Sequence, residues 1–267
     1  MNRHLLRFEL RLARFTLICC GAGILLFQCL LVAFYAAARP DETLGGFFNL
    51  IPRGIKALFG GEYVNIISVS GFLAFGFTHP LSLLLLCTPI ITLASRSASG
   101  GAEEGRMDLL LSHPLSRSTV ILTRLAAGTV GCVVLVLCMW IGHLIGVILI
   151  PLPRRPETLP FVYAALNALL FLVAVQGVAF LAAAPMRLRG SAVGTSIAVL
   201  AVMFFLRLAS QFWDLFDLPA RLSLFTYYVP GKVVFENTLP WRDAGILLGF
   251  FTVTAALALR IFNHKDI

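Results

Sequence analysis

The chain has 267 residues, 59% of them hydrophobic and only 13% charged, with a formal net charge of +8. An ordinary globular chain carries about 25% charged residues, so this one lacks the polar residues to coat a soluble surface. Its apolar residues come in runs along the whole length, which excludes a lone signal peptide, and about 20 such residues cross a hydrocarbon core as a helix.

The first segment, residues 1–14, is expected to be an interfacial helix. Arg3, Arg7, Arg11 and Arg14 follow spacings of four, four and three, which puts four cations on one helical face. Leu5, Leu6, Phe8, Leu12 and Ala13 supply apolar surface around them, the pattern of a helix on an anionic membrane surface. The simpler reading is a basic cap before the first span, and both readings place this end in the cytoplasm.

Six spans are expected, at about 15–38, 66–94, 125–150, 161–184, 191–209 and 244–262, in a single transmembrane domain covering 1–267. The first ends at Arg39-Pro40-Asp41-Glu42, and the Gly-rich stretch from Thr43 to Asn65 reads as an outer loop with a short helix. The second contains His79-Pro80 and Pro89, with a kink expected near Pro80. Residues 95–124 form the most polar internal stretch and are expected in the cytoplasm. The third span stops at Pro151-Leu152-Pro153, and a basic turn with Arg187 and Arg189 separates the fourth and fifth. Gln211 to Asp243 is a second long outer loop, crowded with Trp213, Phe216, Phe225, Tyr227, Tyr228 and Trp241. Trp and Tyr concentrate at membrane interfaces, so this loop is expected to carry short re-entrant helices. With the N-terminus inside, twelve basic residues fall in inner segments and eight in outer ones. This bias places both termini in the cytoplasm. At the ends of apolar runs these residues serve as topology signals, and no nucleic-acid partner is expected.

The stretch from Ser97 to Gly101 reads as a hinge, and Ala102 to Ser112 as a short helix. Glu103, Glu104 and Asp108 lie early in that helix, where its dipole favours acids. Met107, Leu110 and Leu111 share a face. Pro114 ends the helix and Ser116 can cap the next. Elsewhere, His79, His143 and Arg207 are ionisable groups inside spans and thus candidate pathway residues. The plainer alternatives are neutral histidines bonded within the bundle and an Arg207 that snorkels to the outer interface. Asn167 and Gln176 read better as interhelical hydrogen-bonding groups than as lumen lining. Phe225, Tyr227 and Tyr228 are candidates for an outer gate, or for interfacial anchors. The six cysteines all lie in apolar runs without a CxxC pair, so no metal site or disulfide framework is expected.

The polar stretch resembles the cytoplasmic loop of the ABC type-2 permease family, the membrane subunits of ATP-driven exporters. It carries Glu104-Gly105, then Leu109-Leu110-Leu111, then Ser112-His113-Pro114-Leu115-Ser116-Arg117 before the third span. The tail Phe262-Asn263-His264-Lys265-Asp266-Ile267 and the outer stretch from Leu224 to Pro230 are similar to the family's in the same order. Arg124 stands where many members have Lys, with the charge kept. The resemblance implies an all-α permease, with six spans, an N-terminal interfacial helix and short outer re-entrant helices, in a bacterial inner membrane. It implies alternating access driven by a separate ATPase, present in two copies, with ATP and Mg on that partner. It also implies a second permease chain, identical or paralogous, and surrounding membrane lipids. Glu103, Glu104 and Arg106 would form the polar rim, and Met107, Leu110 and Leu111 the apolar anchors, of a helix docked on the ATPase. The chain itself has no GxxxxGK[ST] loop, so no enzyme activity, catalytic residue or bound cofactor is expected in it. Two other functions stay open. A lipid-modifying enzyme would use Glu103, Glu104, Asp108 and His113, and a secondary transporter would show internal repeats and paired charges.

Overall fold

The computed structural model describes residues 3–38, 68–96, 117–186 and 188–264. Among them there is no strand. The helices are α1 (Arg3–Ala38), α2 (Val69–Thr78), α3 (Pro80–Ser95), α4 (Arg117–Leu149), α5 (Thr158–Ala183), α6 (Arg189–Ala209), α7 (Asp217–Ala220), α8 (Pro230–Glu236) and α9 (Trp241–Asn263). Two 3-10 turns, Asp214–Phe216 and Leu224–Thr226, punctuate the chain between α6 and α8. With α2 and α3 counted as one span, six helices are long and apolar enough to cross a membrane. The chain is a multi-pass membrane protein, all-α among the described residues.

The expected boundary after residue 14 is not a break. Residues 3–38 form one uninterrupted helix of 36 residues, about 54 Å long at 1.5 Å per residue. No proline or glycine stands before Gly21 to interrupt it. The buried row Leu5, Glu9, Ala13, Leu17, Gly21 and Ile24 runs without interruption from the first turn into the span. That row keeps α1 against the bundle from its N-terminal end, so the helix continues instead of turning to lie flat. Arg3, Arg7, Arg11 and Arg14 are all exposed on another face.

α1 and α4 pack in parallel along most of their length. Glu9 meets Arg124, Leu17 meets Gly131, Gly21 meets Cys138, and Val32 meets Gly146. The close approach depends on glycine. A side chain at Gly142 would strike the Leu25 carbonyl, and the carbonyl of Gly142 accepts the Cys29 thiol at 3.1 Å. Small residues four apart let membrane helices approach backbone to backbone, and Gly142 and Gly146 serve that purpose here.

α5 occupies the centre. Of its apolar window 78% is buried, against 17% for α6 and 28% for α9. Ala164, Ala168, Ala174 and Ala179 are completely covered, while Leu159 and Leu166 near its start stay exposed, so neighbours close in on most of α5. A helix buried over most of its surface needs no amphipathic stripe. Gln176 and Asn167 are its buried polar groups, and both bond other segments. Gln176 Nε2 donates to the Leu125 carbonyl of α4 at 2.6 Å, and Thr129 Oγ1 donates to Gln176 Oε1 at 3.3 Å.

The starts of α1 and α4 and the ends of α3 and α9 meet at one end of the bundle. Arg96 Nη1 donates to the Leu12 carbonyl at 3.1 Å, and Asn263 Nδ2 donates to Ser118 Oγ at 3.3 Å. This is the alternation that six crossings require, with the start of α1 and the end of α9 at the same end of the bundle. Residues 211–240 gather at the other end.

Candidate functional site

The second span is broken in two. Sequence leads one to expect a kink near Pro80; the structure has two helices separated by His79, whose φ of −55° and ψ of 136° are extended. The cause is local: the ring of a proline pushes the preceding residue out of the helical region. Proline also lacks an N–H, so the carbonyl four residues back, that of Gly76, loses its helical donor. An unpaired carbonyl at membrane depth costs several kcal/mol.

The Gly76 and Phe77 carbonyls and the Leu81 N–H each find another partner. Gln28 Nε2 of α1 donates to the Gly76 carbonyl at 3.2 Å, and Ser82 Oγ donates to the same oxygen at 2.6 Å. The Leu81 N–H donates to His79 Nδ1 at 3.1 Å. The Phe77 carbonyl, four residues before Leu81, is taken by the Tyr228 hydroxyl at 2.8 Å. One break thus draws in α1, its own following helix, and the loop between α6 and α8.

That loop is held down by α5. Asn167 Nδ2 donates to the Tyr227 carbonyl at 3.2 Å while its Oδ1 accepts the Val229 N–H at 3.1 Å. The Tyr228 ring stacks on Phe171 at 4.4 Å, and Phe225 meets Phe171 at 5.1 Å and Phe204 at 5.4 Å. The Tyr227 hydroxyl donates to the Arg221 carbonyl at 2.8 Å. α8 then packs against both α2 and α5, burying Pro230, Gly231, Val233 and Val234. Of the three candidate gate residues, Phe225 and Tyr228 share the Phe171 ring in one aromatic plug, which Tyr228 bonds to the break in the second span, and Tyr227 flanks it, facing Phe250 at 6.4 Å.

The three candidate pathway residues lie apart. His79 caps α3 through Nδ1 and is ringed by Phe27 at 4.9 Å and Phe75 at 5.3 Å. His143 is 2% exposed and stacks on Phe161 at 4.1 Å, with Phe77 edge-on at 6.2 Å. Its Nδ1 has no hydrogen-bond partner among the described residues. Arg207 is half-buried in the last turn of α6, its Nη1 3.5 Å from Ser210 Oγ. No hydrogen bond or ring contact joins any two of the three among the described residues. The candidate coupling residues Glu103, Glu104, Arg106, Met107, Leu110 and Leu111 lie outside the described residues, as do Thr43 to Asn65.

Both flanks of the unassigned segment 97–116 are described, and they converge. Arg96 bonds the Leu12 carbonyl, and Arg124 Nε bonds Glu9 Oε1 at 2.9 Å. Leu12 and Glu9 are three residues apart on α1, so two helices that bracket the segment are tied to one turn of a third. A narrow cleft between α1 and α3, bounded by Glu9, Thr16, Thr92 and Arg96, lies beside this junction.

Sequence reasoning overlooked Glu9, Gln28 and Ser82. The signal for the first was available: Glu9 is the lone acid in an otherwise basic segment. Gln28 stands out in the same way, as the one amide in the apolar run of the first span. Among the described residues no group of three His, Cys, Asp or Glu could hold a metal ion. No protein-family model matches the chain, and no curated protein matches it.

Proposed function

We propose that the chain is the membrane-spanning permease subunit of an ATP-driven exporter of ABC type-2 layout, placed in a bacterial cytoplasmic membrane with both termini inside. The observation that carries this reading is the double anchoring of the segment between α3 and α4. Arg96 and Arg124 both hold the turn of α1 at Glu9 and Leu12. A push on residues 97–116 would therefore reach three spans together. Within that segment lie the Glu104-Gly105 pair, the leucine run and the Ser-x-Pro-x-Ser-Arg stretch.

In this reading Ala102 to Ser112 docks in a groove of a separate ATPase. Met107, Leu110 and Leu111 are the apolar anchors, and Glu103, Glu104 and Arg106 the polar rim. ATP and Mg bind on that partner, present in two copies, and a second permease chain completes the pathway. The plug of Phe225, Tyr227 and Tyr228 forms the outer gate. Its bond to Phe77 links gate movement to the joint at His79. A broken span is also a device of secondary transporters, where unwound carbonyls hold ions. Here the Gly76 and Phe77 carbonyls are already bonded to protein donors, which favours a structural joint over an ion site at this break.

The test is purification of the tagged chain from its native membrane in mild detergent. A nucleotide-binding subunit with ATPase activity is expected to co-purify in equal number. Leu110→Asp is expected to reduce its recovery at least tenfold while leaving the chain inserted. Absence of any nucleotide-binding subunit, with Leu110→Asp indistinguishable from wild type, overturns the proposal.

A further inference from the structure

α1 carries four arginines and no lysine, and its one acid is Glu9. Glu9 points into the bundle, where it is committed to Arg124. Arg3, Arg7, Arg11 and Arg14 are exposed, and none has an acidic partner among the described residues. The ladder therefore presents four cations with no counter-charge on its own helix.

Its direction indicates what neutralises it. At 100° per residue the four arginines fall within one narrow row, and the next members of that row are Ile18 and Ala22, both exposed. Phe8 and Phe15 are exposed alongside. Because α1 is continuous, the cationic row stands directly in line with the apolar, outward-facing surface of the first span. A cytosolic protein would meet the arginines but would have no access to Ile18 and Ala22. A phospholipid meets both, with phosphate on the guanidinium groups and acyl chains on the apolar row below. Guanidinium also matches phosphate geometry in a two-pronged fashion that ammonium does not. The positive-inside rule requires only basic residues near a span end, and says nothing of their alignment on one face above lipid-facing residues.

We propose that the α1 arginine ladder is a binding ridge for acidic phospholipid headgroups, ordered by depth. The headgroup layer is about 5–8 Å deep on each side, and Arg11 and Arg14 are about 4.5 Å apart along the axis. These two sit within it. Arg7 reaches it by extending its side chain along the helix, and Arg3, about 16 Å from Arg14, stands in the adjoining water. The proposal stands independently of the exporter reading, since it needs only that the chain spans a membrane.

The experiment uses the full chain in phosphatidylcholine nanodiscs containing a small fraction of spin-labelled phosphatidylglycerol or, in parallel, spin-labelled phosphatidylcholine. The readout is the motionally restricted fraction of each label. Wild type is expected to restrict the phosphatidylglycerol label several-fold more than the phosphatidylcholine label, with the excess shrinking in high salt. Arg11→Gln with Arg14→Gln is expected to bring that ratio down to about one, and Arg3→Gln to lower it much less. The exposed pair Arg154 and Arg155 at the opposite end, changed to Gln together, controls for general loss of positive charge and is expected to retain most of the preference. Millimolar inorganic phosphate is expected not to compete. An unchanged preference in the Arg11/Arg14 variant overturns the proposal, as does an equal loss in the Arg154/Arg155 control. Displacement by inorganic phosphate would mark a phosphate site instead, and also overturns it.

Discussion

Glu9 and Arg124 form an ion pair at 2.9 Å with side chains only 6% and 4% exposed. Removing two charges from water is costly, and a buried pair is rarely a net stabiliser compared with well-packed apolar residues. Removing one partner is worse, because it leaves the other charge buried alone, at a cost of about 3–5 kcal/mol. Glu9→Ala and Arg124→Ala are therefore each expected to lower the thermal midpoint in detergent sharply. Glu9→Leu combined with Arg124→Met is expected to recover most of that loss. A thermal-melt double-mutant cycle measures this directly, and additive losses would show that the pair is not coupled. If the pair also transmits force from the segment beyond α3, the apolar double variant should fold well yet lose transport.

The break at His79 gives a second expectation. Gln28 Nε2 and Ser82 Oγ share the Gly76 carbonyl. Gln28→Leu leaves that oxygen with one donor and is expected to cost about 1 kcal/mol, the net worth of a typical hydrogen bond. Adding Ser82→Ala removes the last donor and should cost more than the sum of the two single changes, because a buried carbonyl is then unsatisfied. Strictly additive melts would mean that water or a relaxed backbone replaces the donors.

The spans were legible in the sequence because hydrophobic run length answers directly to bilayer thickness. The break at His79 was half legible. Pro80 announced a disturbance, and Ser82 is a local partner for the Gly76 carbonyl, but the other two donors come from residues 28 and 228, distant positions that no local pattern connects. That residues 3–38 run as one helix was not legible at residue 14, because arginine spacing describes one face only. The opposite face, with Leu5, Glu9 and Ala13, decides whether the helix stays on the bundle. Asn167 and Gln176 could be read as interhelical bonding groups from chemistry alone, since an amide in an apolar helix must find partners; which carbonyls they find could not. The same limit applies to Tyr227 and Tyr228, whose composition announced an interface and whose contacts made a plug.

Tyr228→Phe separates the two roles of that residue. The ring keeps its place on Phe171, while the Phe77 carbonyl loses its hydroxyl donor. The expected cost is about 1–3 kcal/mol, since the carbonyl is left buried. The local signature is faster amide hydrogen exchange across both residues 224–229 and the joint at 77–81. Asn167→Leu, which removes both bonds to Tyr227 and Val229, is expected to speed exchange over 224–229 while sparing 77–81. Equal acceleration of both regions in both variants would mean that the plug and the joint open as one unit.

The glycines offer the cleanest test of the packing. A Cβ at Gly142 would strike the Leu25 carbonyl and lie 2.8 Å from Leu25 Cα, and backbone cannot yield as a side-chain tip can. Gly142→Ala is therefore expected to force α1 and α4 apart, with a loss of about 1–3 kcal/mol from overpacking, and Gly142→Val to lose more. It should also weaken the Cys29 bond to the Gly142 carbonyl, so Cys29 should become more reactive to maleimide. Gly194 on α6 has nothing within 4 Å of the same built atom. There Gly→Ala meets no neighbour within the chain and removes glycine's entropic penalty in a helix, about 0.5–1 kcal/mol. The midpoint of Gly194→Ala should hold or rise in detergent. A fall confined to preparations in which the chain self-associates would place that face of α6 at the contact between copies.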